Sequence, residues 1–352
     1  MQHLETITFP HDISEFSDII DVRSPEEYEL DHIPGSINLP VLDDLERKEV
    51  GTIYKDNPFE ARRLGAGYVS ANAAKHLQTI LADKPPEYRP LLYCWRGGMR
   101  SRSFTMILKS IGWKAHLIRG GYRTFRQHVV AEIDEFFNSE SLNLQVLSGL
   151  TGVGKTRLLK AIEAEGGQII DLEGLANHKG SLLGESPTSG QPLQKKFETL
   201  LWHHTSQLDL NKPIFIEAES NRIGNVHCPP ALWKALNGAR VVNVNLPTKE
   251  RIKLLREDYP HFQDSPDELR KLLEVLVRLR GNETVDQWKA QVDAREWDAF
   301  VESILINHYD LCYRKPGHEK SNYQEVTANI EVKDASPSSY RETAKQILSS
   351  SY

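Results

Sequence analysis

The chain is poor in the residues that mark specialised compartments and scaffolds. Its 352 residues include three cysteines, Cys94, Cys228 and Cys312. So few, and an odd number, argues against a disulfide framework and suits a reducing cytoplasm. None has a Cys or His neighbour at zinc spacing, so no metal is expected on a side-chain cluster. No apolar run approaches the roughly 20 residues that span a bilayer, and no membrane partner is expected. The opening "MQHLETITFPHD" lacks the basic stretch and apolar core of a secretory leader. Repeats and low-complexity tracts are absent. Positive charge is not in excess either: 43 Lys and Arg face 49 Asp and Glu, a net charge of −6. A nucleic-acid partner would therefore need a local basic patch. Arg119, Arg123 and Arg126 form one candidate; Lys249, Arg251, Lys253 and Arg256 form another. Solvated helix faces are the commoner meaning of such runs.

What is present is an ordinary globular composition, 39% hydrophobic and 26% charged, at a length that suits about two domains. Short strand-like and helical segments alternate, which predicts α/β architecture with parallel sheets. "DIIDV" and "GSINLP" read as strands around the capped helix "SPEEYELDHI", with Ser24 as cap, Pro25 at the first position and Glu27 closing a capping box. Helices are expected over Gly67–Asp83, Ser101–Trp113 and Tyr122–Phe137, with strands at Pro90–Cys94 and "KAHLIRGG". The pattern restarts after Asn138, which predicts a first domain over 1–138 and a second over 139–352. The second contains strands "LNLQVLSG", "GQIIDLEG", "KPIFIEAES" and "ARVVNVNLP". Helices then dominate to about Tyr313, and the last residues read as a short amphipathic helix.

Two loops carry the chemistry. In "LLYCWRGGMRSRS" a buried strand ends at Cys94, and a glycine-bearing loop with Arg96 and Arg100 leads into a helix. Backbone N–H groups and the helix N-terminus would form an anion cradle there. The same field suits a sulfur anion and so a nucleophile at Cys94. Gly97 and Gly98 are expected at positive φ, and Arg100 could fork onto an oxyanion. The spacing Cys94 to Arg100 also fits the phosphatase pattern C-x5-R. The second loop, Gly149, Leu150, Thr151, Gly152, Val153, Gly154, Lys155 and Thr156, is a full Walker A match between a strand and a helix. It predicts a polyphosphate cradle in which Lys155 neutralises charge and the Thr156 hydroxyl reaches Mg²⁺ when that ion is present. Glu217 and Glu219 should share a strand face and could hold Mg²⁺ through water or accept a proton. Arg222 is a candidate phosphate contact. Asp171, Glu173, His178 and Lys179 lie on a loop at the ligand-binding edge of the sheet. His203 and His204 read as packing or surface residues.

Upstream of the cysteine, "DVRSPEEYELDHIPGSINLP" resembles the first rhodanese signature at Asp21–Arg23, Glu26, Tyr28 and His32–Gly35. "LIRGGYRTF" resembles the closing segment, and the likeness covers roughly residues 10–130. Rhodanese cysteines carry a sulfane sulfur or related chalcogen. The present loop is one residue longer than the usual one, which suits selenium or phosphate better than a lone sulfur atom. A rhodanese-like domain joined to a P-loop domain, with "CWRGGMRS", "GLTGVGKT", "ANHKGS" and "IEAESNRIG", is similar to the bacterial tRNA 2-selenouridine synthase family. That resemblance implies a transferase acting on tRNA with 2-thiouridine at the wobble position. The 2-thio group would be geranylated from geranyl diphosphate, and selenium from selenophosphate would then displace the geranylthiol. Cys94 would carry selenium as a selenenylsulfide with Arg96 and Arg100 beside it, and Gly149–Thr156 would hold the diphosphate. No tightly bound cofactor is implied. Phe197, Leu201 and Trp202 could line a geranyl groove, although their helical spacing is commoner in a core. A nucleotide-dependent kinase or ATPase with a rhodanese module, or a sulfur carrier, are the competing readings.

Overall fold

The structure, a computed structural model, describes residues 4–9, 11–179, 190–314 and 326–350. They group into two compact units, Met1–Ile133 with Pro192–His203, and Asp134–Gln191 with His204–Tyr352. No helix among the described residues is long and apolar enough to cross a membrane.

The first unit is built on strands β1 (Thr6–Ile7), β2 (Asp18–Asp21), β3 (Ile37–Asn38), β4 (Pro90–Tyr93) and β5 (His116–Ile118). They form one parallel sheet in the order β1-β5-β4-β2-β3. Helices α1 (Pro25–Leu30), α2 (Asp44–Asp56), α3 (Pro58–Gln78), α4 (Met99–Ile111) and α5 (Gly121–Phe137) connect and follow them. Ser24 and Glu27 do close a capping box on α1. The antiparallel pair α2 and α3 is longer than the single helix expected over Gly67–Asp83. Capping explains it: Asp43 starts α2 and the Asn57 side chain accepts from Glu60 N–H to start α3. α2 buries none of its residues. The core under the sheet joins Ile20, Leu92, Phe104, Leu117 and Cys94 itself.

The second half of the chain repeats the architecture with a different strand order. After β6 (Leu144–Ser148) and α6 (Lys155–Ala164) come β7 (Gln168–Ile170), α7 (Leu172–Ala176), α8 (Gln194–Thr205) and β8 (Ile214–Glu217). A two-stranded hairpin, β9 (Arg222–Ile223) and β10 (Val226–His227), precedes α9 (Pro230–Gly238), β11 (Arg240–Asn245) and α10 (Thr248–Asp258). Short helices α11 (His261–Asp264), α12 (Pro266–Glu274), α13 (Val277–Arg280), α14 (Asn282–Asp293) and α15 (Trp297–Ile304) follow. A π-helical turn, Leu305–Tyr309, then runs into α16 (Asp310–Arg314); β12 (Val326–Glu331) and α17 (Pro337–Ser349) close the chain. The sheet is parallel, β12-β11-β6-β8-β7. Such sheets are covered on both faces, and β8, "IFIE", is buried at all four positions, its terminal glutamate included. The chain is thus α/β with two parallel sheets and a helical C-terminal region that packs its own core around Trp288, Leu273 and Phe300.

α8 departs from the expected division. It falls in the middle of the second half of the sequence, yet Pro192–His203 belongs to the first unit. There Phe197 and Leu201 are fully buried, and Trp202 stacks edge-on against Phe125 at 5.4 Å and His128 at 5.6 Å. These three residues build a core rather than an open groove.

Candidate active sites

β4 is buried along its whole length, so the chain leaves the sheet at Tyr93 and presents Cys94 next. Cys94 is 3% exposed. Two donors converge on its sulfur: the Gly98 N–H and the Ser101 hydroxyl, each 3.2 Å from Sγ. Both stand at the start of α4, whose N-terminus adds partial positive charge to the same point. Gly98 itself sits at φ −87°, so the expected positive φ occurs only at Gly97, at +64°. α5 closes the turn from behind. Tyr122 N–H donates to the Cys94 carbonyl at 2.9 Å, and Arg123 N–H to that of Trp95 at 3.0 Å. Gly121, at φ +60°, makes this approach feasible: a Cβ there would lie 2.1 Å from the Cys94 carbonyl oxygen and 2.6 Å from Gly97 N.

The two arginines differ. Arg96 is exposed and has no ion-pair partner among the described residues. Arg100, already in the first turn of α4, forks onto Glu27 of α1 at 2.6 and 3.3 Å. Burial would raise the Glu27 carboxyl, but the Arg100 hydrogen bond and charge outweigh it and hold the group below its ordinary value. The fork expected on a bound oxyanion is thus on a carboxylate here. The signature "DVR" builds scaffold instead. Arg23 and Asp21 form a fully buried bidentate pair, Nε donating to Oδ1 and Nη2 to Oδ2. Arg23 also donates to the Asp31 carbonyl at 2.6 Å and lies 4.0 Å over the Tyr122 ring. The Tyr122 hydroxyl donates to Asp31 Oδ2 at 2.6 Å, which fixes the start of α5 behind the cysteine.

In the second unit the glycine loop leaves β6 at Ser148 and enters α6 at Lys155. Its neighbours hold it in two places. Tyr340, buried on α17, donates to the Val153 carbonyl at 2.8 Å; a Cβ on Gly154, at φ +76°, would strike that tyrosine's hydroxyl at 2.2 Å. Arg251 of α10 donates to the Thr151 carbonyl at 2.8 Å and pairs with Asp310 at 3.1 and 2.6 Å. Arg251 is 3% exposed, so it is no part of the solvated basic patch that its neighbours in sequence suggested. Lys155 folds over the loop, with Nζ 3.5 Å from the Gly149 carbonyl. Thr156 Oγ1 donates to Glu173 at 3.0 Å, and Glu173 N–H donates to Glu217 at 2.7 Å.

Strand register pairs Leu147 with Glu217, which sets the end of β8 beside the loop. Glu217 is fully buried, and its Oε2 has no hydrogen-bond partner among the described residues. Burial, then the charges of Asp171 and Glu173, hold its carboxyl well above the ordinary range. Glu219 lies beyond the strand end, so the two glutamates do not share a strand face as the two-residue period suggested. Burial and then Glu173 push Glu219 up to about 8, against the pull of Lys155. Asp171 caps α7 by accepting from Gly174 N–H at 2.7 Å. Arg222 is exposed and donates to the Gly224 carbonyl of its own hairpin at 2.7 Å. Lys179 reaches the Asp258 carbonyl at 2.6 Å; residues 180–184 of the expected loop lie outside the described residues. His204 bonds the Ile169 carbonyl. Cys228 is buried and its thiol is pushed up to about 12, chiefly by that burial, which leaves it inert as a nucleophile.

Sequence reasoning missed the site roles of Ser101, Gly121 and Tyr340, the pairing of Glu27 with Arg100, and the Arg251–Asp310 pair. Only Gly121 carried a local signal, the double glycine of "LIRGGYRTF".

Comparison with known proteins matches both domains. Residues 11–128 match the model of the rhodanese-like domain, and residues 142–272 that of the tRNA 2-selenouridine synthase AAA domain. A tRNA 2-selenouridine synthase of Nitrosomonas europaea is 38% identical over 68% of this chain, and one of Nitrosomonas eutropha is 37% identical over 68%. These matches span 63% and 62% of the two relatives' own lengths. A tRNA 2-selenouridine synthase of Hydrogenovibrio crunogenus is 35% identical over 90% of this chain and 94% of its own length.

Proposed function

The chain belongs to the tRNA 2-selenouridine synthase family, and from that premise we propose that it replaces sulfur by selenium in the wobble 2-thiouridine of tRNA, in two steps served by the two loops. In the first, the 2-thio sulfur attacks C1 of geranyl diphosphate; the C–S bond forms as the C–O bond breaks, and diphosphate leaves with the electron pair. The glycine loop, with Lys155 and the Thr156 hydroxyl, holds that leaving group. In the second, a selenium nucleophile derived from selenophosphate attacks C2 of the base; the C–Se bond forms and geranylthiolate departs. S-alkylation serves this step because a geranylthiolate leaves C2 far more readily than the sulfide that an unalkylated thiocarbonyl would have to expel.

The observation that supports the reading is the pairing of two anion cradles of different chemistry in one chain. One is headed by a buried sulfur with two donors on it; the other has a cationic lysine and no cysteine. Thr156, Glu173 and the unpartnered oxygen of Glu217 are a donor set that fits Mg²⁺ accompanying the diphosphate. That ion would neutralise charge on the leaving group. Arg96, exposed beside Cys94, is positioned to meet the phosphate of selenophosphate.

The test is an omission series. Full-length protein is incubated with 2-thiouridine tRNA, geranyl diphosphate and selenophosphate, each left out in turn, and the nucleosides are analysed by mass spectrometry. S-geranyl-2-thiouridine should appear without selenophosphate, and 2-selenouridine only with all three. Lys155→Ala should lower geranylation far more than selenation of pre-geranylated tRNA. Tight Mg-ATP binding with hydrolysis, and no geranylated product, would instead establish the nucleotide-dependent reading. Complete modification by Lys155→Ala would make the P-loop structural.

A further inference from the structure

Beside the glycine loop, within the second unit, lies a chamber of about 70 Å³ that opens to solvent, with the mostly hydrophobic and aromatic lining of small-ligand pockets. Trp297, Phe300, Val301 and Ile304 present one face of α15 to it, at the i, i+3, i+4, i+7 spacing of a helix. Tyr259 and Phe262 face them from α10's end and α11. Thr151 of the loop forms part of the wall. The next loop residue, Gly152, packs on another wall residue, Leu255: a Cβ there would fall 2.9 Å from Leu255 Cδ1. The chamber and the phosphate cradle therefore share a boundary two residues wide.

We propose that this chamber receives the hydrocarbon tail of the allylic diphosphate whose head the glycine loop holds, and that α15 sets the chain length accepted. The inference rests on the function proposed above and names the residues that recognise its first substrate. Three features argue for a prenyl chain. The lining is aromatic and aliphatic, so a hydrocarbon buried there leaves water for an apolar surround. The chamber adjoins a polyphosphate cradle, so its occupant carries both an apolar and a phosphorylated end. Aromatic faces also suit the positive charge that spreads over an allylic carbon as diphosphate departs, and they exclude water that would hydrolyse it. A nucleobase fits poorly. Besides tyrosine hydroxyls and the Trp297 indole, the polar wall side chains are Thr151, Arg256 and Gln263; Arg256 already donates to Asp298 and Gln263, and Gln263 to the Arg256 carbonyl. Base edges would be left without the paired donors and acceptors that burial demands. One donor remains open: Arg256 Nε is buried with no partner among the described residues, and an anionic head group at this wall would supply it.

The test uses the full chain, an RNA anticodon stem-loop bearing 2-thiouridine, and dimethylallyl, geranyl and farnesyl diphosphates in competition. Ile304→Trp fills the chamber and should lower geranyl relative to dimethylallyl transfer by about tenfold or more, since each methylene excluded from a fitted pocket is worth roughly tenfold or above. Phe300→Ala enlarges it and should shift the products toward farnesyl. Phe300→Leu, a gentler change, keeps the test sharp if the larger ones fail to fold, and thermal melts report that directly. Wild-type product ratios in folded variants would overturn the chamber assignment while leaving the two-step function standing. Absence of any S-prenyl product from the unmodified protein would overturn the function beneath it. Displacement of bound Mg-ATP by Ile304→Trp would show a nucleotide pocket and overturn the assignment as well.

Discussion

Replacing Asp310 by alanine isolates what the buried ion pair does for the glycine loop. The pair is enclosed: the side chains of Arg251 and Asp310 are 3% and 10% exposed. Removing one partner strands a guanidinium out of water, at about 3–5 kcal/mol. For a unit of this size that corresponds to a fall in melting temperature of roughly 6–20 °C. Arg251 should also lose its fixed position, and with it the hydrogen bond to the Thr151 carbonyl. Two measurements separate stability from positioning: thermal unfolding followed by tryptophan fluorescence, and calorimetric titration with inorganic diphosphate. The double variant Arg251→Met with Asp310→Leu then distinguishes them, because apolar replacement of a buried pair is often neutral in stability. It should recover most of the lost melting temperature and little of the lost diphosphate affinity. Destabilisation by Asp310→Ala of less than about 1 kcal/mol would mean the pair behaves as a solvated one and would refute the burial argument. Full recovery of diphosphate affinity in the double variant would refute the positioning role.

Three further outcomes follow from the geometry. Cys94→Ser should block selenium insertion while S-geranylated tRNA accumulates, and nucleoside analysis showing normal selenouridine would remove Cys94 from the reaction. Gly121→Ala forces a methyl onto the Cys94 carbonyl, so it should abolish the selenium step yet spare geranylation; retention of both in a folded variant would show that the loop yields. Glu219 carries a pH signature. Its folded value, about 8, lies above its unfolded one, so the stability it contributes is complete below the ordinary carboxyl range. That stability is lost as pH rises toward and through about 8. Urea midpoints for the ligand-free protein should fall across that window, and Glu219→Gln should flatten the fall; an equal slope in the variant would assign the titration to another group, Glu217 first.

Local chemistry was readable from the chain and distant pairing was not. Cys94 and the Lys155 loop were legible because strand, loop and helix adjoin in sequence, so the residues that make each cradle are neighbours there. The capping box of α1 was legible for the same reason. Arg251 misled, since its neighbours Lys249 and Lys253 are those of a surface helix and the carboxylate that buries it, Asp310, stands far along the chain. Arg100 was read as an anion fork because nothing local reveals that Glu27 reaches it. Glu219 seemed to extend β8, and only the end of strand pairing at Glu217 shows otherwise.

The placement of Pro192–His203 has a consequence in time. During synthesis the rhodanese-like sheet is complete once β5 has emerged, but the helix segment that packs on α5 through Trp202 arrives roughly 60 residues after Ile133. At about 5–20 residues per second, the nascent first unit waits several seconds with that face of α5 uncovered. Asp31 waits too, without the Thr199 hydroxyl that donates to it at 3.0 Å. A fragment ending at residue 138 would remain in that state permanently, so the first unit is finished only after the P-loop has already been made.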